Sequence, residues 1–549
     1  MRKQILSFLI ILTFIVFSSQ TGAEEQDNCS SFLVTKGASA DGAVMITYTC
    51  DGEFHPRLRY TPAEDHKPGS FIEIKDWSGN IMGKVKQVPH TYAVVGLMNE
   101  HQLAIAETTF GGRPELVNRE GLLHYFQLMR LTLQRAKTAR EAVKVMAGLV
   151  DEYGYRSSGE SFSLADPQEA WIMEMIGPGK GGKGAVWVAL RIPDGYVCAH
   201  ANMSRIGELP LKDPENCLYS KNVISLAVQK GYYNPKSTKP FNFRCAYDPP
   251  KPLPMRTCAA RVWSMFRRCA PSKNFSPDFH RGVKTAEPYP LWIKPDKKLA
   301  LKDMMAVMRD HYEGTEYDMT KGIDAGPFGM PVRYRDLEWD VDGVTYSWER
   351  PISTQQTGFS FISQSRSWLP DAIGGVYWYG VDDTYTTCWV PLYCCVRDLP
   401  APYTRGDIRK FSWDSAWWVF NFVANYANLR YSDMIKDIQK VQQELEGYFI
   451  SIQPVIEKAA LELHQGDKAL LVQFLTNYSV SQGERVVKRW IELGEHLLTK
   501  YNDGYVKDEK GRPRAKGYPE GYLRQVLKLK PEQFKLPPWG DKKKDGRLD

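Results

Sequence analysis

The residue best placed to do chemistry is Cys29, in "QDNCSSFLVTKGASADGAVMITYTCD" (residues 26–51). Three roles suit a cysteine there. A lipid anchor needs small residues directly before the thiol, and Gln26-Asp27-Asn28 does not supply them. A half-cystine is the ordinary role in an exported chain. The third role is a nucleophile released by cleavage at Asn28–Cys29. Such a cut frees an α-amino group on the residue that carries the thiol, with an ordinary pKa of about 7.7–8.0. That amine can take the thiol proton and later return a proton to a leaving amine, so one residue serves as nucleophile and base. No Cys/His pair stands out elsewhere. The chain has no Cys-x-x-Cys and no His-x-x-x-His, so a metal site has no ligand pattern behind it.

The residues ahead of Cys29 are built like a secretory leader. Arg2 and Lys3 supply the positive end, and the apolar run 5–17 is short for a membrane span. Small residues around 18–23 offer a cut after Ala23. The expected order is a signal over 1–23, a short propeptide over 24–28 and a mature chain beginning at Cys29, exported to the periplasm or secreted. No later segment reaches the ~18 uninterrupted apolar residues of a spanning helix, so no stable membrane insertion is expected once the signal is removed.

Composition narrows the class. Of 549 residues, 43% are hydrophobic and 25% charged, which is the balance of a globular chain with room for a large core. The net charge of +7 is modest for this length, and no Lys/Arg run is interleaved with the aromatics, so nucleic acid is not an expected partner. Lys542–Lys544 reads as part of a solvated tail. There are ten cysteines; if Cys29 is kept for chemistry, nine remain and not all can pair within the chain.

The elements that must position Cys29 are hairpins. "CSSFLV" and "AVMITYT" read as strands around the turn "TKGASADG", and "YAVVGLM" and "LAIAETT" flank "NEHQ" in the same way. Residues 119–150 switch to helical period, with Thr138 and Glu141 spaced as a capping box. Strands return at "SFSLAD", "AWIMEM", "GAVWVALRI" and "GYVCAHA", and again at "GVTYSWER", "TGFSFISQS" and "GGVYWYGVDD". Residues 205–300 read as helices and long loops inserted in the core. From about Trp413 three long segments carry apolar stripes. The expectation is an α+β fold. Its core spans 29–405 with the insertion at 205–300, followed by a helical region over 406–502 and an extended tail over 503–549.

At this point the sequence resembles a family. Cys29 with "SSFLVTKGASADGAVM", then "GLMNEHQLAIAETT", "GESFSLADPQEAWIMEMIGPG", "RIPDGYVCAHANMSRIG", "YEGTEYDMTKGIDAGPFGMPVR", "QSRSWLPDAIGGVYWYGVDDT" and "FSWDSAWWVFNFVANYANLRY" resemble the dipeptidase A family of N-terminal-nucleophile cysteine peptidases. That family is related to secernins and more distantly to bile-salt hydrolases and penicillin V acylases. The likeness spans residues 29–450. It implies an αββα sandwich of two stacked antiparallel sheets between helical layers. It also implies hydrolysis of small peptides, chiefly dipeptides, by thiolate attack and a thioester, with no metal or cofactor. A homo-oligomer is compatible with it.

The resemblance also implies site residues. Asn202 in "HANMSRI" matches an asparagine that aims at the oxyanion or orients the amine; the competing role is an Asx turn after a strand. Thr109 stands where the acylase branch has a second oxyanion-hole asparagine, so a backbone N–H or the hydroxyl has to serve. Glu107 is a candidate for a substrate amine or for a buried structural pair. Asp51 falls where the superfamily places an acid on the N-terminal amine. Tyr48 replaces an arginine found in many relatives, which removes a fixed cation beside the thiol. Arg366 in "QSRSW" is the remaining candidate for that cation, against a structural role. Cys50 and Cys394-Cys395 read as core residues. Two other functions stay open on these residues: an acylase on bile-salt, lactam or cell-wall amides, and a catalytically dead binding protein on the same scaffold.

Overall fold

The computed structural model describes residues 29–536. The expected leader over 1–23 and propeptide over 24–28 lie outside the described residues, as does the end of the tail.

The strands, in chain order, are β1 (Ser31–Val34), β2 (Val44–Asp51), β3 (Tyr60–Thr61), β4 (Val94–Val95), β5 (Met98–Asn99), β6 (Ala104–Gly111), β7 (Gly159–Ala165), β8 (Ala170–Ile176), β9 (Val186–Arg191), β10 (Val197–His200), β11 (Cys217–Tyr219), β12 (Trp292–Ile293), β13 (Thr357–Ser365), β14 (Val376–Val381) and β15 (Val390–Tyr393). They form two large antiparallel sheets, and among the described residues eight further strands pair into four two-stranded sheets outside them. A seven-stranded sheet has the order β12-β10-β1-β2-β13-β14-β15, and an eight-stranded sheet the order β11-β9-β8-β7-β6-β5-β4-β3. Cys29 therefore precedes a central strand: β1 pairs with β10 through Ser31↔His200 and with β2 through Leu33↔Ile46. Thr357 to Ser365 of β13 then run along the other side of β2.

The sheets stack on each other, β6 and β7 lying against β2. Helices α1 (Tyr125–Leu133) and α2 (Ala139–Tyr153) cover the outer face of the eight-stranded sheet, where Ile105, Phe162, Leu164, Trp171 and Met173 meet Leu128, Val143, Met146 and Val150. The other sheet is covered by the C-terminal helices introduced below. With both faces covered, the central strands are buried throughout: β7, β8 and β14 expose no residue. β8 and β14 accordingly read as nearly continuous apolar runs, whereas β7 buries Glu160, Ser161 and Ser163 among its apolar residues. The expected capping of α2 holds in part. Thr138 accepts from Glu141 N–H at 3.2 Å, while the Glu141 carboxylate reaches Lys137 N–H at 2.8 Å, one residue before the cap.

The 205–300 stretch is more than an insertion. It supplies an edge strand to each sheet, β11 and β12, and helix α3 (Ala260–Cys269), which packs on β10. Helices α4 (Ala416–Ala427), α5 (Tyr431–Gly466) and α6 (Lys468–Tyr501) form the C-terminal layer, α4 on β14 and α6 on β15. Trp490 of α6 stacks on Phe420 of α4 at 4.6 Å between ring centres. The segment after residue 503, expected to be extended, contains a small hairpin and helix α7 (Glu520–Leu529). Its period was carried by Tyr522, Leu523, Val526 and Leu527. The thiols of Cys198, Cys217, Cys245, Cys258, Cys269, Cys388, Cys394 and Cys395 form no disulfide. Among the described residues no helix is long and apolar enough to cross a membrane.

Candidate active site

Cys29 is wholly buried. Its Sγ lies 3.6 Å from the Tyr48 hydroxyl and 3.6 Å from Glu107 Oε1. The Tyr48 hydroxyl also donates to that Glu107 oxygen, so thiol, phenol and carboxyl close a triangle. The two strands that carry Tyr48 and Glu107 belong to different sheets, and the triangle spans the gap between them. Burial first, then the neighbouring Cys29, pushes the Tyr48 hydroxyl well above its ordinary pKa. Tyr48 thus stays protonated and acts as a hydrogen-bond donor. Phe359 and Phe361 pack against its ring at 5.7 and 5.6 Å.

The backbone around Cys29 is held from the helical side. Arg261 on α3 donates through Nη1 to the Cys29 carbonyl at 2.6 Å and to Ser30 Oγ at 2.9 Å, and through Nη2 to Asn202 Oδ1 at 2.9 Å. Its Nε is anchored on the Thr257 carbonyl at 2.9 Å. The guanidinium fork thereby fixes three groups of the site in one plane. Burial lowers its pKa, helped by the nearby Arg350, but an arginine starts so high that it keeps its charge.

Asn202 follows β10 in a left-handed conformation, φ +53°, which asparagine tolerates better than most residues. Its Nδ2 donates to the Thr109 carbonyl at 2.7 Å. The turn that follows rests on two buried carboxylates. Glu174 accepts from Arg205 N–H at 2.5 Å and from the Ser204 hydroxyl at 2.5 Å, and Asp248 accepts from Ser204 N–H at 2.9 Å. Burial raises both acids, Asp248 to about 7. The Thr109 hydroxyl is spent on Glu160 at 2.8 Å, so what Thr109 brings to Asn202 is its carbonyl.

Asp51 sits at the end of β2. Its carboxylate takes Arg350 Nη2 at 2.5 Å, the Thr357 hydroxyl at 2.7 Å and the Thr49 hydroxyl at 3.1 Å. The Thr49 hydroxyl in turn accepts Ser30 N–H at 3.0 Å. Asp51 therefore reaches the Cys29 end of the chain through Thr49, with its own charge balanced by Arg350. A small cleft opens beyond Arg350, lined by Arg333, Arg335, Glu349, Gln355 and Gln356. Two residues past Cys29, Ser31 joins Ser163 at 2.8 Å, and Ser163 and Thr108 hold the two nitrogens of His200 at 2.7 and 2.8 Å. Burial, with Arg205 adding to it, pushes His200 down to about 3, so this inter-sheet link is neutral.

The structure thus gathers Cys29, Tyr48, Glu107, Asn202 and Thr109, and ties Asp51 to them. Arg366 is not among them. It pairs with Glu457 at 2.6 Å and donates to the Ile373 and Gly374 carbonyls at 2.9 Å each, fastening α5 to the first sheet. The cations beside the site are Arg261 and Arg350, which sequence reasoning passed over. Arg261 lay in a stretch read as insertion, and Arg350 is 299 residues from the aspartate it meets. A signal existed for Arg261: it lies within the apolar helical stretch "AARVWSMF", where a buried arginine demands partners.

The Cys29 thiol, its carbonyl and the next amide are each held by fixed partners, inside a two-sheet stack. The model of peptidase family C69 matches residues 28–444, and the chain belongs to that family of peptide hydrolases. Over 444 residues it is 26% identical to a probable dipeptidase of Latilactobacillus sakei, covering 76% of this chain and 86% of that protein. Over 495 residues it is 24% identical to a probable dipeptidase A of Streptococcus pyogenes, covering 86% and 98%. A dipeptidase of Bifidobacterium longum is 23% identical over 463 residues, covering 76% and 80%.

Proposed function

We propose that the protein is an exported cysteine dipeptidase of the N-terminal-nucleophile type, on an αββα sandwich, activated by cleavage at Asn28–Cys29. The observation that carries this reading is the Cys29 triangle with Tyr48 and Glu107, in a chain whose family match begins at residue 28. The dipeptidase names of the relatives support a dipeptide substrate over an acyl amide.

In this scheme the freed α-amine of Cys29 draws the proton from the thiol, and the thiolate attacks the scissile carbonyl. Asn202, held by Arg261 and the Thr109 carbonyl, is the side chain this scheme assigns to the oxyanion. One such donor typically contributes ~3–4 kcal/mol to the transition state. The amine returns its proton to the leaving amino group, a thioester forms on Sγ, and water releases the acyl part by the reverse sequence. Glu107 is placed to hold the substrate's own ammonium, and Tyr48 to hold the thiol sulfur. No step passes through a metal, so dialysis against a chelator should leave turnover unchanged.

The test joins processing to turnover. Intact mass and N-terminal sequencing of the exported protein should place Cys29 first. Cys29→Ser should fold and lose dipeptide hydrolysis by about a thousandfold or more. A mature protein that retains residues 24–28 and still turns over dipeptides at full rate would refute the mechanism. Hydrolysis of acyl amides in preference to dipeptides would refute the substrate class.

A further inference from the structure

The charge of this chain is concentrated at one end. From Lys510 to the C-terminus there are twelve Lys and Arg against five Asp and Glu, a surplus equal to the +7 of the whole protein, so residues 1–509 are neutral in sum. Within that end lies α7, "EGYLRQVLKL", in which no residue is buried. On a helical projection Tyr522, Leu523, Val526, Leu527 and Leu529 share one arc, while Arg524 and Lys528 lie on the other side. Leu523, Leu527 and Leu529 are 43%, 45% and 72% exposed. Phe534 and Leu536 continue the exposed apolar series after the helix, and Lys530 and Lys535 continue the basic one. The segment is moored at its start, where Tyr518 meets Phe328 at 5.7 Å and Lys516 pairs with Asp433.

An apolar arc flanked by basic side chains, on a helix that the fold leaves uncovered, fits a surface that is apolar inside and anionic outside. We propose that residues 518–536 are a peripheral anchor that seats α7 on an anionic phospholipid bilayer. Arg524 is paired with Glu520 and Lys535 with Glu532, so Lys528 and Lys530 are the helix-borne charges that meet the headgroups. Lys542, Lys543, Lys544 and Arg547 add four more in sequence. Each basic side chain near an anionic leaflet multiplies partitioning by about fivefold. A second copy is a poorer occupant. Its own tail carries the same surplus, and its acidic exposed hairpin at Glu338–Val341 and Val344–Ser347 offers only Glu338, Asp340 and the turn residue Asp342 against charges spread over forty residues. This inference is independent of the peptidase reading.

The test is flotation of the purified mature protein with vesicles of phosphatidylcholine alone, and with about one third phosphatidylglycerol. Binding is expected to the anionic vesicles and to be lost in about 1 M NaCl, where screening acts within about 3 Å. Leu523→Asp with Leu527→Asp, and separately Lys528→Glu with Lys530→Glu, should each cut the bound fraction by about tenfold or more, with dipeptide hydrolysis unchanged. Three results would overturn the proposal. One is equal binding to both vesicle types or to neither. Another is a salt-sensitive dimer that the leucine variant abolishes while vesicles bind nothing, which would assign the face to a second copy. The third is capture by duplex DNA that survives the leucine variant while vesicles bind nothing, which would make the segment a polyanion binder.

Discussion

Replacing Arg261 by lysine separates charge from geometry at the heart of the site. The guanidinium is wholly buried and makes bonds of 2.6, 2.9 and 2.9 Å to Cys29 O, Ser30 Oγ and Asn202 Oδ1. Lysine keeps the charge but presents one compact donor on a flexible stem, so it cannot reproduce the fork. If its ammonium keeps one of these three acceptors, the other two and the Thr257 carbonyl lose the Arg261 donor at roughly 1–3 kcal/mol each, or ~6 kcal/mol together. Tm falls accordingly. On the proposed mechanism the effect on turnover comes through Asn202, whose amide oxygen loses the Arg261 donor. Misplacing a single oxyanion donor typically costs ~10²–10³ in kcat. Arg261→Lys should therefore lower kcat about a hundredfold, with KM within about threefold, because the substrate is not what Arg261 touches. The assay is initial-rate dipeptide hydrolysis well below the variant's own Tm, beside Asn202→Ala and the double variant. Since Arg261 is a positioning residue that works through Asn202, the double variant should be no more than about threefold worse than the poorer single one. A kcat within about threefold of wild type for Arg261→Lys, or fully multiplicative losses in the double variant, would refute this account.

Three further substitutions probe the surroundings. Tyr48→Phe removes the hydroxyl shared by Cys29 and Glu107 and should cost about 10–100-fold in kcat, the worth of a hydrogen bond to a charged group. Because Tyr48 stays protonated, the alkaline limb of the pH–rate profile should not move, and a displaced limb would show that the phenol titrates in turnover. His200, held near 3, makes the unfolded chain bind a proton that the fold refuses. Stability is then full above about pH 6.5 and is lost as pH falls toward 3, by roughly 1.4 kcal/mol per pH unit. His200→Gln should flatten that acid limb in chemical denaturation, and an unchanged slope would exclude His200 as its source. Asp382 is the opposite case. Burial pushes it up to about 8, and its Oδ2 has no hydrogen-bond partner. The fold keeps a proton that the unfolded chain releases, so stability falls as pH rises from about 4 to 8. Asp382→Asn should raise Tm at pH 8 and leave it nearly unchanged at pH 4. Equal Tm at both would show that Asp382 is already ionised.

Local pattern made the first half of the fold legible. The hairpin from Cys29 to Asp51, the pair β7–β8 and the helices α1 and α2 each carry their period and turn chemistry within thirty residues. The pairing of β1 with β10 is different. Its partner residues are 163 to 169 positions apart, and both strands are buried on both faces, so no alternation marks which neighbour each will take. The 205–300 region was opaque for the same reason. Its two edge strands are three and two residues long, below the length at which period can be read. Helix α7 escaped because it lies among Pro, Gly and Lys, which mask a short amphipathic stripe.

Tyr48 raised a specific difficulty in the sequence, because it takes the place of a cation that helps to ionise the thiol. On the proposed mechanism, charges brought from elsewhere stand in for it. Arg261 comes from a helix 232 residues beyond Cys29 and grips the Cys29 carbonyl, and Arg350 comes from the approach to β13 and pairs with Asp51. Neither touches Sγ, so the site polarises its surroundings through the backbone and the carboxylate and leaves the sulfur to a phenol and Glu107. That division has a consequence for the amine. A freed Cys29 amine would meet two buried guanidiniums, Arg261 and Arg350, and two acidic side chains, Asp51 and Glu107, so these four groups do not load the site with one sign of charge. On the proposed mechanism, the cation absent at Tyr48 has its counterpart behind Cys29, at the carbonyl that Arg261 holds.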